Sequence, residues 1–303
     1  MSSVTGTSSA LPALAAVPAQ PALPAQSAHS WQPPSPGPLP RGTVIVLPGR
    51  GEHGGVYERL GRRLANDAYV VHALDVSAHD DLAALARKVA GISRGAITPV
   101  VLAGSDTGAL QALALAAGGS VTVDGLLLAG LPLADSAGLA DLTVSYPDAG
   151  SGSEPDLASD LDDGQSDSAH WDGELAARTT CPAHRARLTE DAAFTRGGLA
   201  DPVPAHLDPL SAELSLEEVR TPTLLLHGGS DPIAPLDPVR IVAARLPRAE
   251  LAVTEDGRHD VLNDATHRTV AAQVVQWLER LRNGPELAPI IAVEARQLLA
   301  AAG

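Results

Sequence analysis

The stretch Val100-Val-Leu-Ala-Gly104-Ser105-Asp106-Thr107-Gly108-Ala-Leu-Gln-Ala-Leu-Ala-Leu115 passes from a buried-strand pattern into a helical pattern without a gap. So abrupt a turn holds its central residue in a strained conformation at the edge of a sheet, next to a helix N-terminus. It also requires small residues two places before and two places after the centre. Gly104 and Gly108 meet this requirement for Asp106, whereas a turn centred on Ser105 would place the β-branched Thr107 at a crowded position. Asp106 is therefore the predicted centre of the turn.

Outward from this turn, short apolar runs alternate with segments of helical period, which indicates an α/β fold with a mostly parallel sheet and helices on its faces. The predicted strands are 43–48, 69–75, 99–105, 123–130, 221–227 and 249–254. The predicted helices are 56–67, 80–92, 107–117, 237–246 and 267–282. Strands this apolar are buried on both faces, so a functional site is expected in the loops at their carboxyl ends.

Two further polar clusters follow predicted strands. His227-Gly-Gly-Ser-Asp231 comes directly after the strand at 221–227, and Gly257-Arg-His259-Asp260 follows the strand at 249–254. With the turn at Asp106, the chain thus presents a candidate nucleophile, a carboxylate and a histidine in that order. Asp260 and Asp264 are expected to cap or orient the loop that carries His259.

At these residues the sequence resembles the α/β-hydrolase family, whose nucleophile elbow has the form Gly-x-nucleophile-x-Gly. The run Pro48-Gly49-Arg50-Gly51-Glu52-His53-Gly54 looks like the stretch after the first core strand in its monoglyceride lipase and lysophospholipase branch. The resemblance covers about 41–133 and 216–283. It implies an α/β-hydrolase fold with an inserted cap and a catalytic triad of Asp106, Asp231 and His259. It also implies an oxyanion hole made by the backbone N–H groups of Arg50 and Thr107.

An aspartate at the elbow changes the expected chemistry, because its carboxylate is already ionised at neutral pH. Asp106 could attack a saturated carbon and form an alkyl-enzyme ester, which water activated by His259 would then hydrolyse, with Asp231 orienting the imidazole. The resemblance therefore implies epoxide- or haloalkane-hydrolase-like chemistry on a small, apolar, uncharged substrate. Two departures leave the substrate open: Thr107 stands where haloalkane dehalogenases usually have Trp, and Tyr146 is the only tyrosine of the predicted cap.

Two alternatives remain at the level of the sequence. The first is a lipase- or lysophospholipase-like carboxylesterase that uses Ser105 in an altered elbow. The second is a non-catalytic ligand-binding protein that kept the fold and lost the chemistry.

The chain divides by composition into four kinds of segment. Residues 1–40 contain no charged side chain and nine prolines, which predicts a disordered Ala/Pro-rich tail. The hydrolase core is predicted at 41–133 and 216–284, interrupted by an acidic cap insertion at 134–215 with a helical part around 174–197. A C-terminal helical tail is predicted at 285–303.

Composition excludes several function classes. The 303 residues carry 21 Lys and Arg against 36 Asp and Glu, a net charge of −15 that disfavours nucleic acid as a partner. No apolar run reaches the length of a membrane-spanning helix, and the single cysteine cannot form an internal disulfide, so a cytoplasmic protein without stable membrane insertion is expected. No cofactor is predicted. Cys181-Pro-Ala-His184 supplies only two ligands, so no metal is predicted either. The oligomeric state stays open.

Overall fold

The computed structural model describes residues 28–133, 163–210 and 214–291. Its strands are β1 (Ala28–Trp31), β2 (Gly42–Leu47), β3 (Tyr69–Leu74), β4 (Val100–Ser105), β5 (Gly125–Ala129), β6 (Thr223–Gly228) and β7 (Ala249–Thr254). They form one sheet in the order β1-β3-β2-β4-β5-β6-β7, with β1 antiparallel to β3 and all other pairs parallel. The carboxyl ends of β2 to β7 therefore meet at one edge of the sheet, and the loops after β2, β4, β6 and β7 carry the predicted site residues.

Helices cover both faces of this sheet. They are α1 (Glu58–Asn66), α2 (Leu82–Ser93), α3 (Thr107–Ala117), α4 (Asp163–Arg178), α5 (Pro182–Glu190), α6 (Leu236–Arg245) and α7 (His267–Arg282). Short 3₁₀ helices lie at Gly54–Tyr57, Gly198–Ala200, Ala205–Leu207 and Leu216–Glu218. All six predicted strands and all five predicted core helices are confirmed, with ends that shift by a few residues. The mostly parallel sheet confirms the predicted fold class.

The core lies in two layers because side chains alternate along each strand. Val44 and Val46 of β2 face a cluster that includes Trp277 of α7, while Ile45 and Leu47 face the opposite cluster with Leu113 of α3. Both sides of the central strands are thus removed from water. Polar groups can reach solvent or a substrate only at the strand ends, which positions the site.

Residues 28–31 differ from the sequence prediction, which placed them in a disordered tail. They form β1, whose four residues pair with β3 from Ala28 opposite Leu74 to Trp31 opposite Val71. Trp31 packs so closely on α1 that a Cβ added at Gly61 would lie 2.2 Å from its ring. The prediction for this segment was wrong because one edge strand with a single aromatic anchor is too short to stand out in a Pro-rich composition.

The other predicted segments, namely the tail, the cap and the C-terminal helix, lie only partly within the residues that the structure describes. Residues 1–27 and 134–162, which hold most of the predicted tail and the first part of the predicted cap, lie outside the described residues. The predicted helical part of the cap divides into α4 and α5, separated by Thr179–Cys181. Residues 285–291 form turns and irregular chain instead of the predicted C-terminal helix, and 292–303 lie outside the described residues.

Candidate active site

The turn between β4 and α3 has the geometry that the glycines predict. Asp106 is held at φ 49° and ψ −126°, a left-handed conformation that costs free energy for a residue with a side chain. A Cβ at Gly104 would lie 2.2 Å from the carbonyl oxygen of Gly108, and a Cβ at Gly108 would lie 2.3 Å from that of Leu47. Both flanks must therefore be glycine, and they fix the centre of the turn at Asp106.

The structure brings the three predicted triad residues together from three loops. His259 Nε2 lies 3.1 Å from Asp106 Oδ1, and His259 Nδ1 lies 2.8 Å from Asp231 Oδ2. All three side chains are buried, with at most 3% of each exposed. Asp231 also accepts hydrogen bonds from the backbone N–H groups of Ile233 and Ala234, which orient its carboxylate.

Ser105 does not take part in this arrangement. It is the last residue of β4, it is buried, and its hydroxyl interacts with the hydroxyl of Tyr57. Tyr57 in turn donates a hydrogen bond to the buried carboxylate of Glu52. The imidazole of His259 is occupied on both nitrogens by carboxylates, so neither nitrogen is directed at Ser105.

The side chain of Arg50 is a part of the site that the sequence analysis missed. Its Nε donates to Asp106 Oδ2 at 2.9 Å and its Nη2 donates to Oδ1 at 2.8 Å, while Nη1 donates to the carbonyl of Asp201. Its backbone N–H, predicted as an oxyanion donor, also donates to Asp106 Oδ2 at 2.8 Å. Thr107 contributes its hydroxyl, 3.3 Å from the same oxygen. From the sequence, Arg50 was assigned only a backbone role, because no local pattern places its guanidinium next to Asp106, 56 positions away.

These contacts shift two pKa values in opposite directions. Burial alone would raise the pKa of Asp106, but the charge of Arg50 and the hydrogen bonds from His259 and Arg50 outweigh it and hold that pKa well below its usual value. Burial would lower the pKa of His259, but the charge of Asp231 and the hydrogen bond to Asp106 raise it to about 10. At neutral pH the resting site is therefore an imidazolium between two carboxylates, with the guanidinium of Arg50 beside it.

The raised pKa of His259 predicts a stability that depends on pH. Between about pH 6.5 and pH 10 the folded chain keeps a proton that the unfolded chain has lost, so the free energy of unfolding should fall as pH rises. Relative to His259→Gln, the wild type should lose about 1.4 kcal/mol per pH unit in this window and nothing below it. Urea unfolding of both proteins at intervals from pH 6 to pH 9.5 measures this, and parallel curves would contradict it.

A second buried charge cluster supports the site from the cap side. Arg178 of α4 is fully buried, and its guanidinium contacts Glu174 at 2.9 Å and Asp260 at 3.4 Å. It also donates to the backbone carbonyl of Arg50 at 2.7 Å. Arg178 therefore links the cap helix to the loop after β2 and to the residue that follows His259. Arg178 was missed by the sequence analysis. Its pair with Glu174, four positions earlier, has a helical spacing that the sequence shows, but the contacts with Asp260 and Arg50, 82 and 128 positions away, follow from no local pattern.

Asp264 acts as predicted on the loop that carries His259. One carboxylate oxygen accepts the backbone N–H of Arg258 at 2.8 Å, and the other accepts from Thr179 and Thr180. The loop is thus fastened to the chain that connects α4 and α5.

The electrostatics of Asp106 do not suit a metal ion. Arg50 and protonated His259 already place positive charge against both of its oxygens. A cation at this carboxylate would be repelled by both neighbours. The arrangement is instead suited to a nucleophile or to a permanently paired carboxylate.

Residues 38–266 match the family described as serine aminopeptidase, S33. The chain belongs to this family. It is a hydrolase with the α/β-hydrolase fold, as the sequence predicted. The family description names a serine, whereas this chain has Asp106 at the centre of the elbow and a serine one position earlier.

Solved structures of the same fold include lipases and a lactonase. The monoacylglycerol lipase of Paleococcus ferrophilus is 20% identical, with a TM-score of 0.60 over 84% of this chain and 98% of that one. A monoglyceride lipase variant from Saccharomyces cerevisiae is 17% identical, with a TM-score of 0.60 over 84% and 92%. The enol-lactonase of Burkholderia xenovorans is 16% identical, with a TM-score of 0.58 over 84% and 98%. At these identities the likeness concerns the fold alone.

A curated relative matches a shorter part of the chain. The poly(3-hydroxyalkanoate) depolymerase of Ectopseudomonas oleovorans is 32% identical over 74 residues, which are 24% of this chain. The chain spans about a quarter of that protein's length.

Among the helices of the described residues, none is both long and apolar enough to cross a membrane.

Proposed function

We propose that this hydrolase acts through a covalent ester on Asp106, with His259 and Asp231 as its partners, and that its substrate is a small, apolar, uncharged epoxide. The observation that carries the proposal is the contact of 3.1 Å between His259 Nε2 and Asp106 Oδ1. The base that activates water must lie next to the ester carbonyl of the covalent intermediate. His259 contacts the carboxylate of Asp106 and not Ser105, so it lies next to an ester formed on Asp106. The family supports hydrolysis in general, and the elbow residue supports this form of it.

The protonation state of His259 favours an epoxide over a haloalkane. In the first step a carboxylate oxygen of Asp106 attacks a ring carbon, the C–O bond of the epoxide breaks, and the departing oxygen takes the Nε2 proton of His259. This single transfer yields a neutral hydroxyalkyl ester and a neutral imidazole. A haloalkane would release a halide, which takes no proton, so His259 would stay charged and unfit as a base. The missing pair of cap tyrosines is then no obstacle, since His259 supplies the acid.

The second step uses the imidazole that the first step has deprotonated. Water gives a proton to His259 Nε2 and its oxygen adds to the ester carbonyl of Asp106. When the tetrahedral intermediate collapses, the bond to the alkyl oxygen breaks, and that oxygen takes the second proton of the added water to give a diol. Asp106 returns as a carboxylate and His259 as an imidazolium, which is the resting state. Asp231, at 2.8 Å from Nδ1, stabilises the imidazolium that returns in this cycle.

Arg50 has two parts in this mechanism. Its side chain occupies both oxygens of Asp106 at rest, so it must leave at least one of them before a substrate carbon can approach. Its backbone N–H lies 2.8 Å from Oδ2, and we expect it to stabilise the oxyanion that forms from the ester carbonyl in the second step, together with the N-terminus of α3 at Thr107. A donor of this kind contributes on the order of 3 kcal/mol to such a step.

The His259→Gln variant tests the proposal by trapping the intermediate. Glutamine cannot serve as the base, and it can donate a hydrogen bond but no proton to the opening ring, so the ester should form slowly, with water as the proton source, and should then persist. After long incubation with styrene oxide the variant should be heavier by the mass of one epoxide, and peptide mass spectrometry should place the adduct on Asp106. The wild type, which hydrolyses the ester, should show little adduct. His206→Gln, at an exposed position, is the matched control and should behave like the wild type.

The other outcomes separate the alternatives. An adduct from 1-bromohexane alone would replace the epoxide by a haloalkane. An acyl adduct on Ser105 from p-nitrophenyl butyrate would transfer the chemistry to the serine esterase alternative. The absence of any adduct and of any wild-type turnover with all three probes would favour the ligand-binding alternative.

A further inference from the structure

A cluster of metal-ligating side chains lies outside the triad, on the part of the sheet formed by β1, β3 and β2. His29 comes from the edge strand β1, His53 from the loop after β2, and Asp75 from the residue that follows β3. One ligand atom from each lies within 4.8 Å of the other two. These residues are far apart in the sequence, and the edge strand that the sequence analysis missed supplies one of them.

The spacing within the cluster fits a zinc ion. His29 Nε2 lies 3.4 Å from Asp75 Oδ1. Two atoms bound at about 2.0–2.1 Å to a tetrahedral zinc ion lie about 3.3–3.4 Å apart, so this pair needs no rearrangement to share an ion. The rings of His29 and His53 are 5.7 Å apart between centroids, and the three ligand atoms, which lie within 4.8 Å of one another, would have to close to about 3.4 Å to share one ion.

Neighbouring groups orient two of the three side chains. His53 Nε2 lies 2.9 Å from Asp191 Oδ2, and a carboxylate on one ring nitrogen is the usual way in which proteins orient a metal-binding histidine. The other ring nitrogen, Nδ1, accepts the backbone N–H of Gly55 at 3.1 Å, a hydrogen bond that a zinc ion would replace. Asp75 Oδ1 accepts the backbone N–H of Gly54 at 2.9 Å, which positions its carboxylate at the end of β3. His29 and Asp75 are exposed and His53 is half-buried, so an ion can reach all three.

We propose that His29, His53 and Asp75 form a Zn²⁺ site that fastens the N-terminal edge strand to the body of the sheet. Two imidazoles and one carboxylate suit zinc, whereas Mg²⁺ and Ca²⁺ prefer oxygen ligands alone. Three protein ligands leave a coordination position for water. A surface cavity of about 340 Å³ lies beside the cluster and is lined in part by His29 and His53. The site is independent of the chemistry proposed at Asp106.

The test uses the full-length chain without a histidine tag. Isothermal titration with ZnCl₂ should give one Zn²⁺ per chain, and the affinity should fall by more than about tenfold in each of His29→Ala, His53→Ala and Asp75→Ala. Asp191→Asn should weaken binding by about tenfold through the orientation of His53. The exposed His206→Ala is the matched control and should bind as the wild type does. Mg²⁺ and Ca²⁺ should give no heat.

A second measurement distinguishes a built site from a general affinity for zinc. Zn²⁺ that binds the folded chain should raise the midpoint of thermal unfolding of the wild type and leave that of His29→Ala unchanged. His29→Ala removes a side chain from an edge strand, so this variant should fold with the circular dichroism spectrum of the wild type. Binding that survives all three ligand substitutions, or the absence of binding at 100-fold excess Zn²⁺, would overturn the proposal.

Discussion

Replacing Asp106 by alanine should lower epoxide turnover by about 10⁴-fold or more, because no other group at the elbow can form the covalent ester. Replacing Ser105 by alanine should change kcat by less than about tenfold, since the Ser105 hydroxyl interacts with Tyr57 and not with His259. Steady-state kinetics on styrene oxide measure both effects. A serine mechanism predicts the reverse pair of results, so the two variants decide between the mechanisms in one experiment.

The alanine variant removes the partner of two positive side chains, and its folding has to be controlled. Asp106→Asn keeps the shape of the side chain and removes its charge, so it leaves Arg50 and His259 with hydrogen-bonding groups nearby. It should lose epoxide turnover as Asp106→Ala does while retaining the circular dichroism spectrum of the wild type. If Asp106→Asn folds and still turns over within about tenfold of the wild type, Asp106 is not the nucleophile.

The sheet and the positions of the site loops could be predicted because they depend on local patterns. Apolar runs such as the one before Gly104 become buried strands wherever they occur, and polar residues directly after such runs reach the carboxyl edge of a parallel sheet. Asp106, Asp231 and His259 follow this rule, and the structure brings them within hydrogen-bonding distance. Their catalytic roles stay predictions, as do the cytoplasmic location and the exclusion of nucleic acid.

The contacts that close the site could not be predicted, because they depend on side-chain direction across long distances in the chain. Arg50 was assigned only a backbone role, yet its guanidinium pairs with Asp106 across 56 positions. The same limit applies to β1, which is a strand because it pairs with β3 and because Trp31 packs against Gly61. A sequence pattern indicates which secondary structure a segment prefers, whereas these contacts form only when distant segments meet in the assembled sheet.

The aspartate at the elbow also explains why a cation stands beside it. A serine at this position would be neutral, and a buried guanidinium at 2.8 Å from it would lack a counter-charge. The carboxylate of Asp106 neutralises the charge of the Arg50 guanidinium, and its two oxygens match the two N–H groups that the guanidinium directs at it. Arg50 and Asp106 therefore have to be considered as one unit: a change from Asp106 to serine should be accompanied by the loss of Arg50 before a serine hydrolase could form.

Replacing Arg178 by methionine should lower the free energy of unfolding by about 3–5 kcal/mol, one of the largest stability effects open to a single substitution in this chain. Methionine fills much of the volume but leaves Glu174 and Asp260 as buried carboxylates without their cation. Urea unfolding at pH 7 measures the loss. Arg240→Met is the matched control: its ion pair with Asp237 is exposed, so the cost should stay below about 1 kcal/mol.

A double substitution identifies the uncompensated charge as the cause. If the cost of Arg178→Met comes from the stranded carboxylates, then adding Asp260→Asn should recover part of it, because the amide has no charge left to neutralise. A purely additive result would assign the cost to lost packing against Phe194, whose ring centroid lies 4.9 Å from the guanidinium carbon. A cost below about 1 kcal/mol for Arg178→Met alone would contradict the buried network itself. Since Arg178 also donates to the carbonyl of Arg50, the same variant should loosen the loop that holds Arg50 on Asp106.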